Sequence, residues 1–326
     1  MSLPVVDSAD IEAAAARIAG RVRETPVIRI EAGELAPCPV FLKLESLQHA
    51  GSFKPRGAFN TLLQQVEPPR AVIAASGGNH GIAVAYAAGT LGIPAEIFVP
   101  LISSPVKVER LRRLGATVHQ TGRDYAEALA AMRERQAETG ALDIHAYDQP
   151  GTVAGQGTLA RELEAQLDGP FEGEFEDRAA GDIQAAFFAV GGGGLIGGAL
   201  AWMGDRVPVV AVEPRSSRAL HAALEAGTPV DVEVSGVAAD SLGARRIGDI
   251  AFALARERLH RSLLVEDACI TRARKWLFEE LRIVTEPGGA TALAALLEGQ
   301  LDLDPARPVA VIVCGGNGSV EDLTGS

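Results

Sequence analysis

Cysteine and histidine are scarce in this sequence. Its 326 residues include six histidines and only three cysteines, Cys38, Cys269 and Cys314. Three scattered cysteines cannot form a disulfide framework, and neither they nor the histidines show the spacing of zinc ligands. We therefore expect no metal site and a cytoplasmic location, because thiols stay reduced in the cytoplasm.

Basic residues are also fewer than acidic ones. The 30 lysines and arginines stand against 42 aspartates and glutamates, which gives a formal net charge of -12 at pH 7. The lysines and arginines form no block of the kind found in nucleic-acid-binding segments. A chain of this charge repels phosphate backbones, so we expect no nucleic-acid partner.

No segment has the composition of a membrane anchor. The N-terminus, "MSLPVVDSADIEAAAARIAG", lacks the basic start and the apolar run of a signal peptide. Residues 185–203, "AAFFAVGGGGLIGGALAWM", carry no charge and imitate a transmembrane span. Four adjacent glycines would break such a helix, because each costs roughly 1 kcal/mol relative to alanine. This stretch is better explained as a strand, a tight loop and a helix, and we expect no membrane partner.

Apolar runs alternate with helical patterns along most of the chain. With 47% hydrophobic residues the chain can bury a large core, and its length favours two lobes. A helix opens at Ser8, a strand follows at "VFLKLE", and "AVIAA" precedes a helix from about Ile82. Further strands are predicted at "AEIFVP", "TVHQT", "DIHAY", "IQAAFFAV", "VPVVAVE" and "PVAVIVC". This alternation is typical of α/β proteins, in which helices cover a parallel sheet on both faces. The acidic segment between Leu167 and Asp182 shows neither period and is predicted to be an exposed connection.

Three glycine-rich turns stand where a strand ends and a helix should begin. "ASGGNHG" follows "AVIA", "VGGGGLIGG" follows "AAFFA", and "CGGNGS" follows "VAVIV". Ligands of open parallel sheets bind beyond the carboxyl ends of the strands, so these turns should converge on one crevice. The run Gly191–Gly194 offers consecutive amides at a helix N-terminus, an arrangement that suits a phosphate group.

The second of these turns also fits a rival function. Gly192, Gly194 and Gly197 satisfy the GxGxxG dinucleotide fingerprint, and Glu213 lies about twenty residues further on. By this motif alone the chain would be an NAD-dependent oxidoreductase. That interpretation leaves the lysine of "SFKPRGA" and the other two glycine turns without a role. A non-catalytic amino-acid sensor is a further alternative.

Six motifs in order resemble one family. They are "SFKPRGA" at 52–58, "SGGNHG" at 76–81, "GQGT" at 155–158, "GGGG" at 191–194, "EPGGA" at 286–290 and "CGGN" at 314–317. Together they resemble the pyridoxal-phosphate (PLP) enzymes of fold type II, in particular the serine/threonine dehydratase and serine racemase branch. The resemblance implies an α/β fold of two lobes, each a mostly parallel sheet flanked by helices, like the tryptophan synthase β chain. It further implies a large PLP-binding domain of residues 1–70 and 149–326, a small domain of residues 71–148, and a homodimer.

The resemblance assigns a role to each candidate site residue. Lys54 would hold PLP as a Schiff base and Phe53 would pack against the ring, while Cys314 would face the pyridine nitrogen. Asn79 would bind the ring hydroxyl, with Glu286 near the cofactor. The remaining cofactor contacts would come from the phosphate loop, Gly191, Gly192, Gly193, Gly194 and Leu195. The substrate carboxylate would be received by the loop that contains Ser76, Gly77, Asn79 and His80.

The activity implied is PLP-dependent β-elimination of a β-hydroxy amino acid such as L-threonine or L-serine, with a 2-keto acid and ammonia as products. Dehydratases of hydroxyaspartate or related amino acids share the motifs and stay open as alternatives. Serine racemase has a serine where this chain has Gly77, so weak racemisation at most is expected. The chain ends soon after "CGGNGSVEDL", which favours an enzyme without a regulatory domain.

Two further positions bear on the resemblance. Some relatives bind a divalent cation through a carboxylate that matches Glu213 and an aspartate six residues later, where this chain has Ala219. The loss of one oxygen ligand weakens such a site, and no cation is predicted here. The segment "GVAADSLGARR" at 236–246 contains candidate substrate contacts, Ser241 and either Arg245 or Arg246; an ordinary solvated turn explains it at least as well.

Overall fold

A computed structural model of the protein describes residues 6–168 and 182–321. Its strands are β1 (Val27–Ile30), β2 (Val40–Lys43), β3 (Val72–Ala75), β4 (Ala95–Val99), β5 (Thr117–Gln120), β6 (Leu142–Asp143), β7 (Ala185–Ala189), β8 (Val209–Pro214), β9 (Arg261–Val265) and β10 (Val309–Ile312). Its helices are α1 (Ser8–Ile18), α2 (Pro55–Leu63), α3 (Asn79–Leu91), α4 (Pro105–Arg113), α5 (Tyr125–Thr139), α6 (Pro150–Leu167), α7 (Gly194–Met203), α8 (Ala219–Ala226), α9 (Ala239–Leu242), α10 (Asp249–Arg258), α11 (Asp267–Leu281) and α12 (Pro287–Leu297). The predicted acidic connection lies mostly outside the described residues.

The strands form two sheets. The larger has the order β1-β2-β10-β7-β8-β9, and the smaller has the order β5-β4-β3-β6. All neighbours pair in parallel except β1, which runs antiparallel to β2 at one edge. Every residue of the central strands β7, β10 and β3 is buried, because helices cover both faces of each sheet. The predicted α/β architecture with two mostly parallel sheets is confirmed.

Local sequence signals explain where several helices begin and end. Asp7 caps α1 by accepting a hydrogen bond from the amide of Asp10, whose side chain reciprocates in a capping box. Asp124 caps α5 in the same way through the amide of Glu127. Gly140 then ends α5 with φ of 66°, a left-handed conformation that glycine adopts without strain.

Two predicted boundaries were wrong. Helix α3 begins at Asn79 rather than near Ile82, directly after the glycine turn. The strand predicted at residues 143–147 is limited to the end of β6, because His145 Nδ1 accepts hydrogen bonds from the amides of Tyr147 and Asp148 and turns the chain. This turn brings Tyr147 against the glycine loop of the larger sheet.

The stretch that imitates a membrane span divides as expected. Residues 185–189 form β7, residues 190–193 form the loop, and α7 starts at Gly194. Among the residues that the structure describes, no helix combines the length and the apolar character that a membrane crossing requires.

Candidate active site

Lys54 is held at the start of a helix by contacts on both sides. It occupies the N-cap position of α2, and Pro55 fills the first helical position, where a missing amide costs nothing. The preceding residues are fixed to the end of the larger sheet, since Ser52 forms a bridge with Gly315 and the Phe53 amide donates to the Cys314 carbonyl at 3.3 Å. The lysine of the "SFKPRGA" motif therefore lies in a fixed turn at the carboxyl end of β10.

The Lys54 amine points inward. Its Nζ donates a hydrogen bond to the Ala146 carbonyl at 2.8 Å and lies 5.0 Å from the centre of the Phe53 ring. Burial lowers the pKa of Lys54 to about 8, although the nearby Cys314 and Glu286 side chains act in the opposite direction. A group with this pKa is neutral in an appreciable fraction of molecules near neutral pH, as a nucleophile or base requires.

Asn79 joins the two sheets across the site. It opens α3 behind the short strand β3, and its amide nitrogen donates to Glu286 Oε1. Its oxygen accepts a hydrogen bond from Asn317 Nδ2 at 2.6 Å. The asparagine loop of the smaller sheet and the last glycine turn of the larger sheet thus meet through side chains that lie 238 positions apart in sequence.

His80 faces away from this meeting point. It is buried, and its Nε2 lies 2.6 Å from the Ile144 carbonyl. Burial and the nearby Lys54 lower the pKa of His80 to about 3. The ring is therefore neutral at physiological pH and donates its proton to a carbonyl, which holds the segment after β6 against α3.

The four-glycine loop is bare and tightly packed. Gly193 has φ of 98°, which only glycine adopts without strain, and α7 begins at the next residue. A side chain at Gly192 or Gly194 would run into Tyr147, which packs against the back of the loop. The amides of the first turn of α7 have no partner within the helix, so the loop and helix together form an anion site. Tyr147 is a supporting residue that the sequence motifs did not reveal.

Cys314 and Glu286 form the wall next to Lys54. The Cys314 thiol donates to the Gly288 carbonyl at 3.4 Å, and burial, assisted by the Glu286 carboxylate, raises its pKa to about 12. Burial raises the pKa of Glu286 to about 7, against the opposing effect of the hydrogen bond from Asn79. Cys314 is accordingly a neutral thiol, and Glu286 titrates near neutral pH.

One cavity gathers most of the predicted residues. It is lined by Phe53, Lys54, Asn79, Gly191, Gly192, Gly193, Gly194, Leu195, Glu286 and Cys314, together with Ala189, Ile196, Ser241, Leu242 and Gly288. Of the predicted substrate loop, Ser76, Gly77 and His80 do not line it. Ser241, a candidate from the sequence, lies on its wall, whereas Arg245 and Arg246 are exposed and do not.

A buried ion network supports α2 behind Lys54. The Arg56 guanidinium bonds both oxygens of Glu45, at 2.7 and 2.8 Å, and reaches Glu162 on α6 at 2.8 Å. Both Arg56 and Glu45 are almost completely inaccessible to solvent. Because an unpaired charge is very costly at such depth, this network fixes the first turn of α2, and with it Lys54, relative to β2 and α6.

The cavity fits a phosphorylated aldehyde. It is lined by an amine of lowered pKa, by a bare loop with a helix N-terminus that suits a dianion, and by an amide, a carboxyl and a neutral thiol. Pyridoxal phosphate carries groups complementary to these, namely an aldehyde, a phosphate, a ring hydroxyl and a ring nitrogen, so Lys54, Asn79, the glycine loop and Cys314 are the residues that would hold it. The cavity thus places an amine suited to covalent attachment and a loop suited to an anion in one site. A simple phosphate site needs no such amine, and a structural lysine needs no such loop.

The structure gives no support to the dinucleotide interpretation of Glu213. Its carboxylate is completely buried and accepts hydrogen bonds from the amides of Leu220 and His221, both at 2.8 Å. In a dinucleotide site this carboxylate would have to bind a ribose hydroxyl. Of the three glycines that match GxGxxG, Gly192 and Gly194 lie against Tyr147, and Gly197 lies against Ala251 of α10 and Val153 of α6, so close packing explains their spacing.

Several known proteins are similar to this chain along most of its length. The L-threonine ammonia-lyase of Thermotoga maritima is 35% identical over 283 residues, which cover 85% of this chain and 67% of that protein. The crystal structure of threonine deaminase from T.th. has a TM-score of 0.87 at 34% identity and covers 96% of this chain and 99% of its own. The structure of maize serine racemase has a TM-score of 0.88 at 30% identity, with 98% and 96% covered. A family model described as pyridoxal-phosphate dependent enzyme matches residues 18–315, and the chain belongs to that family.

Proposed function

We propose that this protein dehydrates and deaminates a β-hydroxy amino acid, L-threonine or L-serine, to a 2-keto acid and ammonia. The observation that carries the proposal is the half-buried Lys54 amine, whose pKa is lowered to about 8, in the same cavity as the four-glycine loop. The names of the threonine ammonia-lyase and threonine deaminase relatives support this reaction.

The reaction needs a base at the substrate Cα and an acid at its β-hydroxyl. When bound, pyridoxal phosphate supplies an electron sink that lowers the cost of removing the Cα proton. Lys54 Nζ would take that proton and return a proton to the departing hydroxyl, which leaves as water. The unsaturated amine that remains is hydrolysed by water to the keto acid and ammonia.

The neighbours of Lys54 favour elimination. Because burial keeps Cys314 a neutral thiol, this side chain would not hold a proton on the cofactor ring as a carboxylate would. A ring without that proton withdraws electrons less strongly, which favours loss of a β-substituent over amino-group transfer. Asn79 and Glu286 share a hydrogen bond and would orient the ring from the side. The predicted carboxylate loop, Ser76 to Gly78, is held in shape by the hydrogen bond from the Gly78 amide to Ser76 Oγ at 3.2 Å.

Lys54→Ala tests the proposal directly. The purified wild-type protein should absorb in the visible range, borohydride should fix the chromophore to Lys54, and L-threonine or L-serine should yield keto acid. We expect the variant to lose the fixable chromophore and at least about a thousandfold of keto-acid production. Lys275→Ala, which removes an exposed lysine on α11, should change neither. Full turnover by Lys54→Ala would refute the proposal.

Racemisation is the second activity considered, because maize serine racemase shares the fold. It requires a second acid or base on the other side of Cα. Gly77 has no side chain, and the neighbouring Ser76 hydroxyl is engaged by the Gly78 amide. We propose that keto acid forms much faster than D-serine from L-serine; a D-serine rate equal to the keto-acid rate would contradict this.

The same proposal covers the assembly and its division into domains. We infer a cytoplasmic homodimer on the ground of the family resemblance and the few reduced cysteines, and light scattering of the purified holoenzyme should give twice the chain mass of 34.0 kDa. We assign residues 71–148 to a small domain and residues 1–70 with 149–326 to a large one. All four strands of the smaller sheet fall within 72–143, which supports this division.

A further inference from the structure

Glu213 is a carboxylate that the proposed reaction does not use. It ends β8 on the same side of the larger sheet as the glycine loop, and its side chain is completely buried. Some family members are expected to bind a divalent cation at the matching carboxylate, with an aspartate where this chain has Ala219. A hard cation takes six to eight oxygen ligands, so a cation site here would need oxygens that are free to bind it.

The residues around Glu213 do not fit such a cation. Both carboxylate oxygens are already engaged, since Oε1 accepts from the Leu220 amide and Oε2 from the His221 amide, each at 2.8 Å. These amide hydrogens carry partial positive charge and occupy the positions from which a cation would have to bind the two oxygens. Within residues 6–168 and 182–321, no cluster of three or more histidine, cysteine, aspartate or glutamate side chains could hold a metal ion.

The contacts of Glu213 instead fix the turn that follows β8. Leu220 and His221 lie in the first turn of α8, so the carboxylate acts as its N-terminal cap from a distance. These hydrogen bonds hold β8 against the start of α8 and so fix the intervening turn, residues 214–218. Within it the Ser217 amide donates to the Pro214 carbonyl at 3.0 Å, which completes the closure.

The 214–218 turn holds one wall of the active-site cavity. Ser217 Oγ donates to the Leu242 carbonyl at 2.8 Å, and the Ser235 amide donates to the Ser216 carbonyl at 3.0 Å. These two bonds fasten both ends of the segment 235–242. Ser241 and Leu242 from this segment line the cavity, and Ser241 Oγ also accepts from the Gly288 amide at 3.0 Å.

We propose that Glu213 is a positioning residue that clamps the start of α8 and so holds the 235–242 wall of the active site, and that this chain needs no divalent cation there. The Glu213 carboxyl group binds helix amides in place of a metal ion. Ser217 transmits its effect to the cavity through the Leu242 carbonyl.

The cation part is tested on the wild-type holoenzyme after treatment with EDTA. We expect Mg²⁺ and Mn²⁺ at millimolar concentration to change Tm by less than about 1 °C, and Mn²⁺ to show no stoichiometric binding by electron paramagnetic resonance. A Tm increase of several degrees, or one bound Mn²⁺ per chain, would overturn it. Neither readout depends on the reaction catalysed, so this test stands even if the proposed function fails.

The positioning part is tested by Glu213→Gln. Its amide group would face one of the α8 amides with a donor in place of an acceptor, and we expect Tm to fall by about 4 °C. We also expect KM for L-threonine or L-serine, whichever is turned over, to rise about threefold or more while kcat changes by less than about twofold, a split that general destabilisation does not produce. The matched control is Glu280→Gln on the exposed side of α11, away from the α8 clamp, which should leave all three values unchanged.

Ser217→Ala keeps the test decisive if Glu213→Gln does not fold. It leaves the clamp intact and removes only the bond to the Leu242 carbonyl, so the same rise in KM is expected with little change in Tm. Unchanged KM in Ser217→Ala, or unchanged Tm and KM in a folded Glu213→Gln, would overturn the positioning role. The KM arm rests on the proposed function; the Tm arm does not.

Discussion

At the scale of single residues, the protonation of Lys54 decides how the protein acquires its cofactor. Burial lowers the pKa of its amine to about 8 from an ordinary value of 10.5. At pH 7 about a tenth of such amines are neutral, compared with a few in ten thousand for an exposed lysine. Only the neutral amine can attack an aldehyde, so this difference should appear in the rate of cofactor uptake.

We predict that apoenzyme recombines with pyridoxal phosphate faster as the pH rises, with a midpoint near 8. The neutral amine gains population from pH 7 to pH 9 and then stays constant, which gives the sign of the effect. The measurement is the growth of the visible absorbance after mixing, followed by stopped flow. Propylamine over the same pH range is the control for titration of the cofactor itself. A rate that keeps rising towards pH 10.5, as the control does, would contradict the lowered pKa.

At the scale of an element, the phosphate loop depends on the backbone of Gly193. Its φ is 98°, and a Cβ there would lie 2.5 Å from the Ala251 Cβ and 2.7 Å from Ile247 Cδ1. Gly227, which ends α8, also has positive φ, at 72°, but a Cβ there would meet nothing within 4 Å. The two glycines therefore separate crowding from backbone strain.

We predict that Gly193→Ala weakens binding of pyridoxal phosphate by at least about tenfold. The alanine must shift the loop away from α10 and so misalign the amides that form the anion site. Gly227→Ala should cost about 1 kcal/mol of stability from left-handed strain and leave cofactor affinity unchanged. Titration of the apoenzymes with cofactor, combined with urea unfolding, measures both quantities. Equal cofactor affinity in the two variants would show that the loop geometry does not matter.

At the scale of the whole molecule, the Arg56 network joins segments distant in sequence. Arg56 on α2 binds Glu45 after β2 and Glu162 on α6, and Lys43 of β2 also pairs with Glu162. Burial acts to raise the pKa of Glu45, but the Arg56 guanidinium outweighs it and holds that pKa below its ordinary value. Removal of Arg56 would leave this carboxylate buried without its main partner.

We predict that Arg56→Met destabilises the fold by about 3–5 kcal/mol, because an uncompensated buried charge costs that much. In a chain of this size the corresponding fall in Tm is roughly 6–10 °C. Arg113→Met is the matched control, since Arg113 pairs with Glu109 on the exposed side of α4 and such pairs contribute little. Differential scanning calorimetry of the three proteins gives the comparison. A similar Tm for both variants would mean that the network is energetically neutral.

Two basic side chains on α4 contact segments that follow strands of the larger sheet. Lys107 pairs with Asp240 on α9 at 2.6 Å, and Arg110 donates to Asn317 Oδ1 at 2.8 Å. The first pair is exposed and contributes little to stability, but both contacts span the opening between the smaller and the larger sheet. Neither contact could be foreseen from sequence, because the partners lie 133 and 207 positions apart.

The sequence by itself determined the fold class and the family. Strand and helix periods alternate in it, and the glycine turns and the lysine motif are local signals that need no tertiary context. They predicted Lys54, Asn79, the glycine loop, Glu286 and Cys314 as site residues, and the structure places all of these around one cavity. Such local signals failed at the strand predicted over residues 143–147, because the turn there depends on hydrogen bonds to a His145 ring nitrogen, which no periodicity reveals.

Only the tertiary structure decided what the surrounding residues do. Tyr147 supports the glycine loop, Arg56 anchors the lysine helix, and Glu213 caps α8, a use that neither the dinucleotide fingerprint nor the cation site of relatives suggests. Such roles depend on burial and on partners far away in the chain, and burial is what sets the pKa of Lys54, Glu286 and Cys314. Sequence spacing specifies which groups are present, whereas their charge states follow from the solvent and the neighbours that folding removes or supplies.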